Sequence, residues 1–90
     1  MSEMSTERTD SAVDMSVVLE QISEDVHNTW CELKTEKGWV YGEELNVEAK
    51  THPDLIPYSE LTEEKKDLDR GTVRTVLESL ERRGYKIVFA

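Results

Sequence analysis

The side chains able to do chemistry in this chain gather in residues 26–70. Both tryptophans (Trp30, Trp39), both histidines (His27, His52) and two of the three tyrosines (Tyr41, Tyr58) lie there. His27 and the single cysteine, Cys31, stand four residues apart, a spacing that can bring an imidazole and a thiol together on one helix face. Nothing nearby in sequence supplies an orienting group or an oxyanion site, so a small inert thiol is the simpler reading. The aromatic rings offer different chemistry. An indole or phenol is a platform for a flat base, and such stacking is worth about 1–3 kcal/mol per base. Lys50, Lys65 and Arg70 could neutralise phosphate on the same ligand, arginine through a bidentate fork and lysine as a point charge. Each also has a structural reading. Trp30 suits a small core, Arg70 can pair with Asp67 or Asp69, and His52, directly before Pro53, can fix its loop by a hydrogen bond.

Metal and cofactor chemistry find little support. Two histidines and one cysteine, with no HxxxH or CxxC spacing, give no specific metal signal. Glu63, Glu64, Asp67 and Asp69 read as the start and solvated face of a helix, and neither an EF-hand nor a Gly-rich phosphate loop is present. No cofactor is expected.

Ninety residues make one small domain at most, near the size at which a single core only just offsets chain entropy. The first dozen residues, MSEMSTERTDSA, are serine, threonine and charge without periodicity, so residues 1–13 read as a disordered acidic tail and residues 14–90 as the domain. Residues 1–25 hold seven acidic residues against Arg8 alone, about six of the nine net negative charges. A nucleic-acid binder should carry a basic bias that this chain lacks. One cysteine excludes an internal disulfide. The absence of a basic leader, a signal-length apolar run or a bilayer-length segment points to a soluble cytoplasmic chain with no membrane partner.

The elements that must position these side chains follow from spacing. Val13, Val17, Val18 and Ile22 predict a short helix over 13–22. Ser23 then caps a second helix, with Glu24 and Asp25 in its first turn, running to about Lys37 with Val26, Trp30 and Leu33 inward and Gly38 as its stop. Residues 39–42 alternate and predict a short extended piece. Pro53 and Pro57 bar regular structure, and Leu55, Ile56 and Tyr58 pack that arm down. Thr62 is an N-cap with Glu63 and Glu64 behind it, and Gly71 marks a possible kink or restart near Asp69. Val73, Val76, Leu77 and Leu80 form a core-facing stripe that Gly84 closes, and residues 86–90, KIVFA, suit a terminal strand.

With these residues in place the chain resembles the RyR domain, the repeat of ryanodine-receptor calcium-release channels that also occurs as a small stand-alone bacterial or viral module. The resemblance covers about residues 22–87. It is carried by His27 and Trp30, by Gly38, Trp39, Tyr41 and Gly42, and by Lys50, His52, Pro53, Leu55, Pro57 and Tyr58. Leu61, Glu64, Lys65, Asp69, Arg70, Leu77, Gly84 and Tyr85 complete it. It implies a mainly α fold: a small domain with two principal helices, short extended β segments and an ordered Pro-containing arm. In the channels the repeats come in tandem pairs with pseudo-twofold symmetry, and a nucleotide has been placed in the pocket of one pair. A single copy leaves half of any paired pocket unprovided, which implies a homodimer.

Two functional classes follow. The first is a non-catalytic binding module for a small nucleotide-type ligand, held by Trp30, Trp39, Tyr41, Lys50, His52, Tyr58 and Arg70. The second is a protein-interaction module docking through the same aromatic surface with no small ligand. A concave pocket with aromatic walls and a cation favours the first; a flat apolar patch favours the second.

Overall fold

The computed structural model describes residues 15–88. Two long helices dominate, α1 (Met15–Glu36) and α2 (Glu63–Arg82). Between them come strands β1 (Val40–Tyr41) and β2 (Thr51–His52) and a single 3-10 turn, Tyr58–Glu60. The fold is mainly helical, as the spacing and the resemblance imply. The tail assigned to residues 1–13, and Val13 at the head of the first expected helix, lie outside the described residues.

The break expected at Ser23 does not occur, and α1 runs through it. Ser23 is fully buried, and its hydroxyl donates to the Leu19 carbonyl at 2.8 Å, one turn back. A serine that satisfies its own donor this way can sit inside a helix without a stranded polar group. The inward face is therefore Leu19, Ser23 and His27, not the expected stripe. Val26 and Leu33 are exposed, and only Trp30 of that trio is half-buried.

Both helices end by the same device. Gly38 has φ +92°, its N–H donates to Thr35 O, and Trp39 N–H reaches back to Lys34 O, both at 3.0 Å. Gly84, also at φ +92°, repeats the pattern with Glu81 O and, through Tyr85 N–H, Leu80 O. These paired bonds satisfy the last carbonyls and need a left-handed residue between them, which glycine supplies at no steric cost.

At the start of α2, Thr62 Oγ1 accepts the Lys65 N–H at 3.2 Å, as its position predicts. The helix runs through Gly71 without a restart. The helices are antiparallel: Glu20 stands opposite Arg70, while Trp30 lies toward Leu61 and Lys65. Counted outward from the Glu20–Arg70 pair, Met15 reaches only the level of Thr75. Val73 is accordingly buried and Leu77 half-buried, whereas Val76 is 54% exposed and Leu80 also lies open. The stripe is real, but only its first half is covered among the described residues. Residues 85–88 form no strand, in contrast to the KIVFA expectation, and Phe89 and Ala90 lie outside the described residues.

β1 and β2 pair in parallel, Val40 with Thr51 and Tyr41 with His52. Gly42 makes that approach possible, because a Cβ there would stand 2.5 Å from the Thr51 Cβ. Pro53 follows β2 in a turn, and Pro57 precedes the 3-10 turn that buries Tyr58.

Candidate functional site

Residues 53–57 cross α1 as a strap, with a cavity on either side. The larger, an open groove of about 540 Å³, lies between Asn28, Cys31 and Thr35 of α1, the segment Trp39, Val40 and Tyr41, and Leu55, Ile56 and Pro57 of the strap. Among the described residues, no charged side chain lines it. Lys34 stands outside it with Nζ 4.4 Å from the centre of the Trp39 ring, a cation–π contact. Among the described residues, the ladder leaves one strand edge free. Val40 N–H donates to Lys50 O and Gly42 N–H to His52 O, so in a parallel pair the N–H and C=O of Tyr41 turn away from β2. Tyr41 is 55% exposed.

The smaller cavity, about 280 Å³, is lined by Val26, His27 and Trp30 of α1, His52 and Asp54, and Leu61, Lys65, Leu68 and Asp69 from the start of α2. His52 fixes the strap: its Nδ1 accepts the Asp54 N–H at 3.0 Å, and its ring meets Trp30 edge-on at 4.9 Å and Trp39 at 6.3 Å.

His27 is 4% exposed and anchors the middle of the strap, with Nε2 2.7 Å from the Ile56 carbonyl oxygen. A carbonyl only accepts, so the proton sits on Nε2. Cys31 Sγ lies 3.4 Å from that same nitrogen. With that proton given to Ile56, Nε2 has no lone pair to offer the sulfur as a base. Burial, followed by the nearby charges of Asp54 and Asp69, pushes the thiol pKa up, away from the thiolate that nucleophilic chemistry requires.

Three expected ligand residues are engaged elsewhere. Tyr58 is 5% exposed, and its hydroxyl donates to Glu20 Oε2 at 3.0 Å; burial, then this bond, raises the phenol pKa. Arg70 donates through Nε and Nη2 to the two oxygens of Glu20 at 2.7 and 2.8 Å, and through Nη1 to Asp67 at 2.7 Å and Glu63 at 3.1 Å. These bonds, Glu20 first, raise its pKa further and leave no fork for a phosphate. Lys50, at φ +57°, donates from Nζ to the Lys37 carbonyl at 2.8 Å and closes the end of α1.

The seven residues expected to form one site therefore divide. Trp39 and Tyr41 share the groove, Trp30 and His52 share the smaller cavity, and Lys50, Tyr58 and Arg70 line neither. The groove takes its apolar wall from Leu55, Ile56 and Pro57, which the sequence marks as packed but not as a binding surface. Asn28 and Thr35 carry no signal in the sequence.

Residues 4–89 match the RyR domain. The chain belongs to this family. The match spans nearly the whole chain and extends beyond the residues that carry the resemblance. This RyR domain is thus a module of the ryanodine-receptor repeat type, built on the helix pair and the strap described above. Among its described residues, no helix is long and apolar enough to cross a membrane, and no group of three or more His, Cys, Asp or Glu side chains could hold a metal ion.

Proposed function

We propose that this RyR domain is a non-catalytic cytoplasmic binding module whose groove receives an extended apolar segment of a partner protein. The free edge of β1 beside an uncharged groove carries the reading. An added strand could take its main-chain bonds from the Tyr41 N–H and C=O, and its side chains would lie against Val40, Leu55, Ile56 and Pro57. The missing cation weighs against a phosphorylated ligand there.

One observation keeps the nucleotide reading as a second. Lys34 over Trp39 joins a cation to a flat ring, so a base against Trp39 with its phosphate toward Lys34 is an alternative occupant. Self-association has separate support, since the open ends of the stripe at Val76 and Leu80 are apolar surface that a second copy would cover.

Selection from a random peptide library, followed by amide-shift mapping, tests the main reading. Extended apolar peptides that move the Tyr41 amide and lose binding to Val40→Asp are the expected result. Absence of any groove-binding peptide, together with a nucleotide that raises the melting temperature and depends on Trp39, would shift the assignment to the second reading.

A further inference from the structure

The smaller cavity, across the strap from the groove, has a chemistry that the groove lacks. His27 Nε2 carries its proton to Ile56, which leaves Nδ1 as a bare acceptor with no partner among the described residues. Every enclosed side-chain nitrogen and oxygen of those residues has a partner, so Nδ1 must reach open space, and the cavity is the space this buried ring lines. Asp69 lines the same cavity, and its carboxylate takes part in no hydrogen bond or ion pair with a described residue. Its carboxyl pKa is raised, by burial first and also by the nearby Asp54 carboxylate, and His27 is the other titratable side chain beside it. Lys65 does not neutralise it, because both Asp54 oxygens hold that ammonium at 2.8 Å. The Trp30 ring stacks on His27 at 5.7 Å and 23° and supplies an aromatic wall, with Val26, Leu61 and Leu68 apolar beside it.

We propose that this cavity binds an alkylguanidinium cation, with the Asp69 carboxylate and His27 Nδ1 accepting its N–H groups, Trp30 covering its plane and the apolar wall its stem. Two acceptors and an aromatic face match the fork of a guanidinium better than the single point of an ammonium. The site is separate from the groove, and its occupancy does not depend on what the groove holds. The cation could belong to a free small molecule or to an arginine side chain of a polypeptide; the recognising chemistry is the same.

Titration of the full chain with N-butylguanidinium and with Nα-acetylarginine N-methylamide, observed through the Trp30 indole and His27 ring resonances, tests the site. Saturable shifts are expected, about tenfold or more weaker in Asp69→Asn and unchanged in Glu78→Gln, an exposed position that lines neither cavity. Affinities within about threefold of one another assign the cation to a polypeptide side chain; a preference of about tenfold for the butyl compound assigns it to a free small molecule. The neutral isostere N-butylurea should not bind, a comparison that needs no variant. No saturable shift with either cation up to on the order of 10 mM, equal binding of the urea, or full affinity in a folded Asp69→Asn protein would overturn the proposal. Failure here leaves the groove reading standing, since that reading is scored at Tyr41.

Discussion

Removal of the Glu20 carboxylate should loosen the joint between the two helices. That group accepts from Arg70 Nε at 2.7 Å, from Arg70 Nη2 at 2.8 Å and from the Tyr58 hydroxyl at 3.0 Å. In Glu20→Ala, Arg70 keeps Asp67 and Glu63, so the guanidinium is not stranded. The Tyr58 hydroxyl is, on a ring that is 5% exposed. An unpaired buried hydroxyl costs about 1–3 kcal/mol, whereas an ion pair with a carboxylate as open as this one contributes about 0–1 kcal/mol. The expected loss is therefore about 2 kcal/mol, most of it from the phenol. Adding Tyr58→Phe removes the stranded hydroxyl and should return about 1 kcal/mol of that loss. A pH dependence accompanies it. Hydrogen bonds from Arg70, with smaller help from Tyr58 and against the opposing effect of burial, hold the Glu20 pKa at about 2, below its ordinary value of 4.5. The folded-state value lies below the unfolded one, so the contribution is complete above pH 4.5 and is lost as the pH falls from there toward 2. After discounting for solvent screening, wild type should lose about 1 kcal/mol more than Glu20→Gln between those limits. Urea unfolding followed by circular dichroism at pH 7 and at intermediate points down to pH 2 measures both effects. Wild-type stability in Glu20→Ala, with parallel pH profiles for wild type and Glu20→Gln, would refute the reasoning.

Four further outcomes follow from single positions. A Cβ at Gly71 meets nothing within 4 Å inside α2, so Gly71→Ala should stabilise the domain by about 0.5–1 kcal/mol and raise its melting temperature. Gly42→Ala forces its Cβ onto Thr51 and should cost about 1–3 kcal/mol, with the Val40 and Gly42 amides losing hydrogen-exchange protection first. Lys50→Ala loses the bond to Lys37 O and keeps the left-handed backbone, whereas Lys50→Gly loses only the bond, so thermal denaturation should find the alanine variant less stable by about 1 kcal/mol. Cys31 should react with iodoacetamide at pH 8 more slowly than free cysteine, and reach the free rate in urea, because burial and two carboxylates raise its pKa.

What could be read from the sequence was whatever depends on near neighbours. Gly38 and Gly84 stop their helices because a left-handed residue closes the last turn, and Thr62 starts α2 because its hydroxyl reaches an N–H three residues on. The reading failed where a distant segment decides. Ser23 has the composition of a cap, and only the burial of its whole face shows that it bonds backward instead. Spacing offers Arg70 either Asp67 or Asp69, and the structure takes Asp67, but Glu20 lies fifty residues away and leaves no local trace. Val76 and Leu80 keep helical spacing beyond the level that the described part of α1 reaches. The site divided for the same reason: Trp30 and Trp39 are near in sequence, yet the strap between them is placed by a bond from His27 to Ile56, twenty-nine residues apart.

On the two proposals made above, that strap would separate two kinds of recognition. Its residues divide, Asp54 lining the smaller cavity and the consecutive Leu55, Ile56 and Pro57 the groove. His52 at its base touches Trp30 on one side and Trp39 on the other. Among the described residues, the apolar face thus carries a free backbone edge and no charge, while the other cavity carries an unpaired carboxylate and an open imidazole nitrogen. A ligand suited to one is poorly suited to the other: a cation would lose hydration against Val40 and Ile56 without gaining a partner, and an apolar chain would strand Asp69. The His27–Ile56 bond and the His52–Asp54 bond are the physical links through which occupancy of one side could be felt on the other.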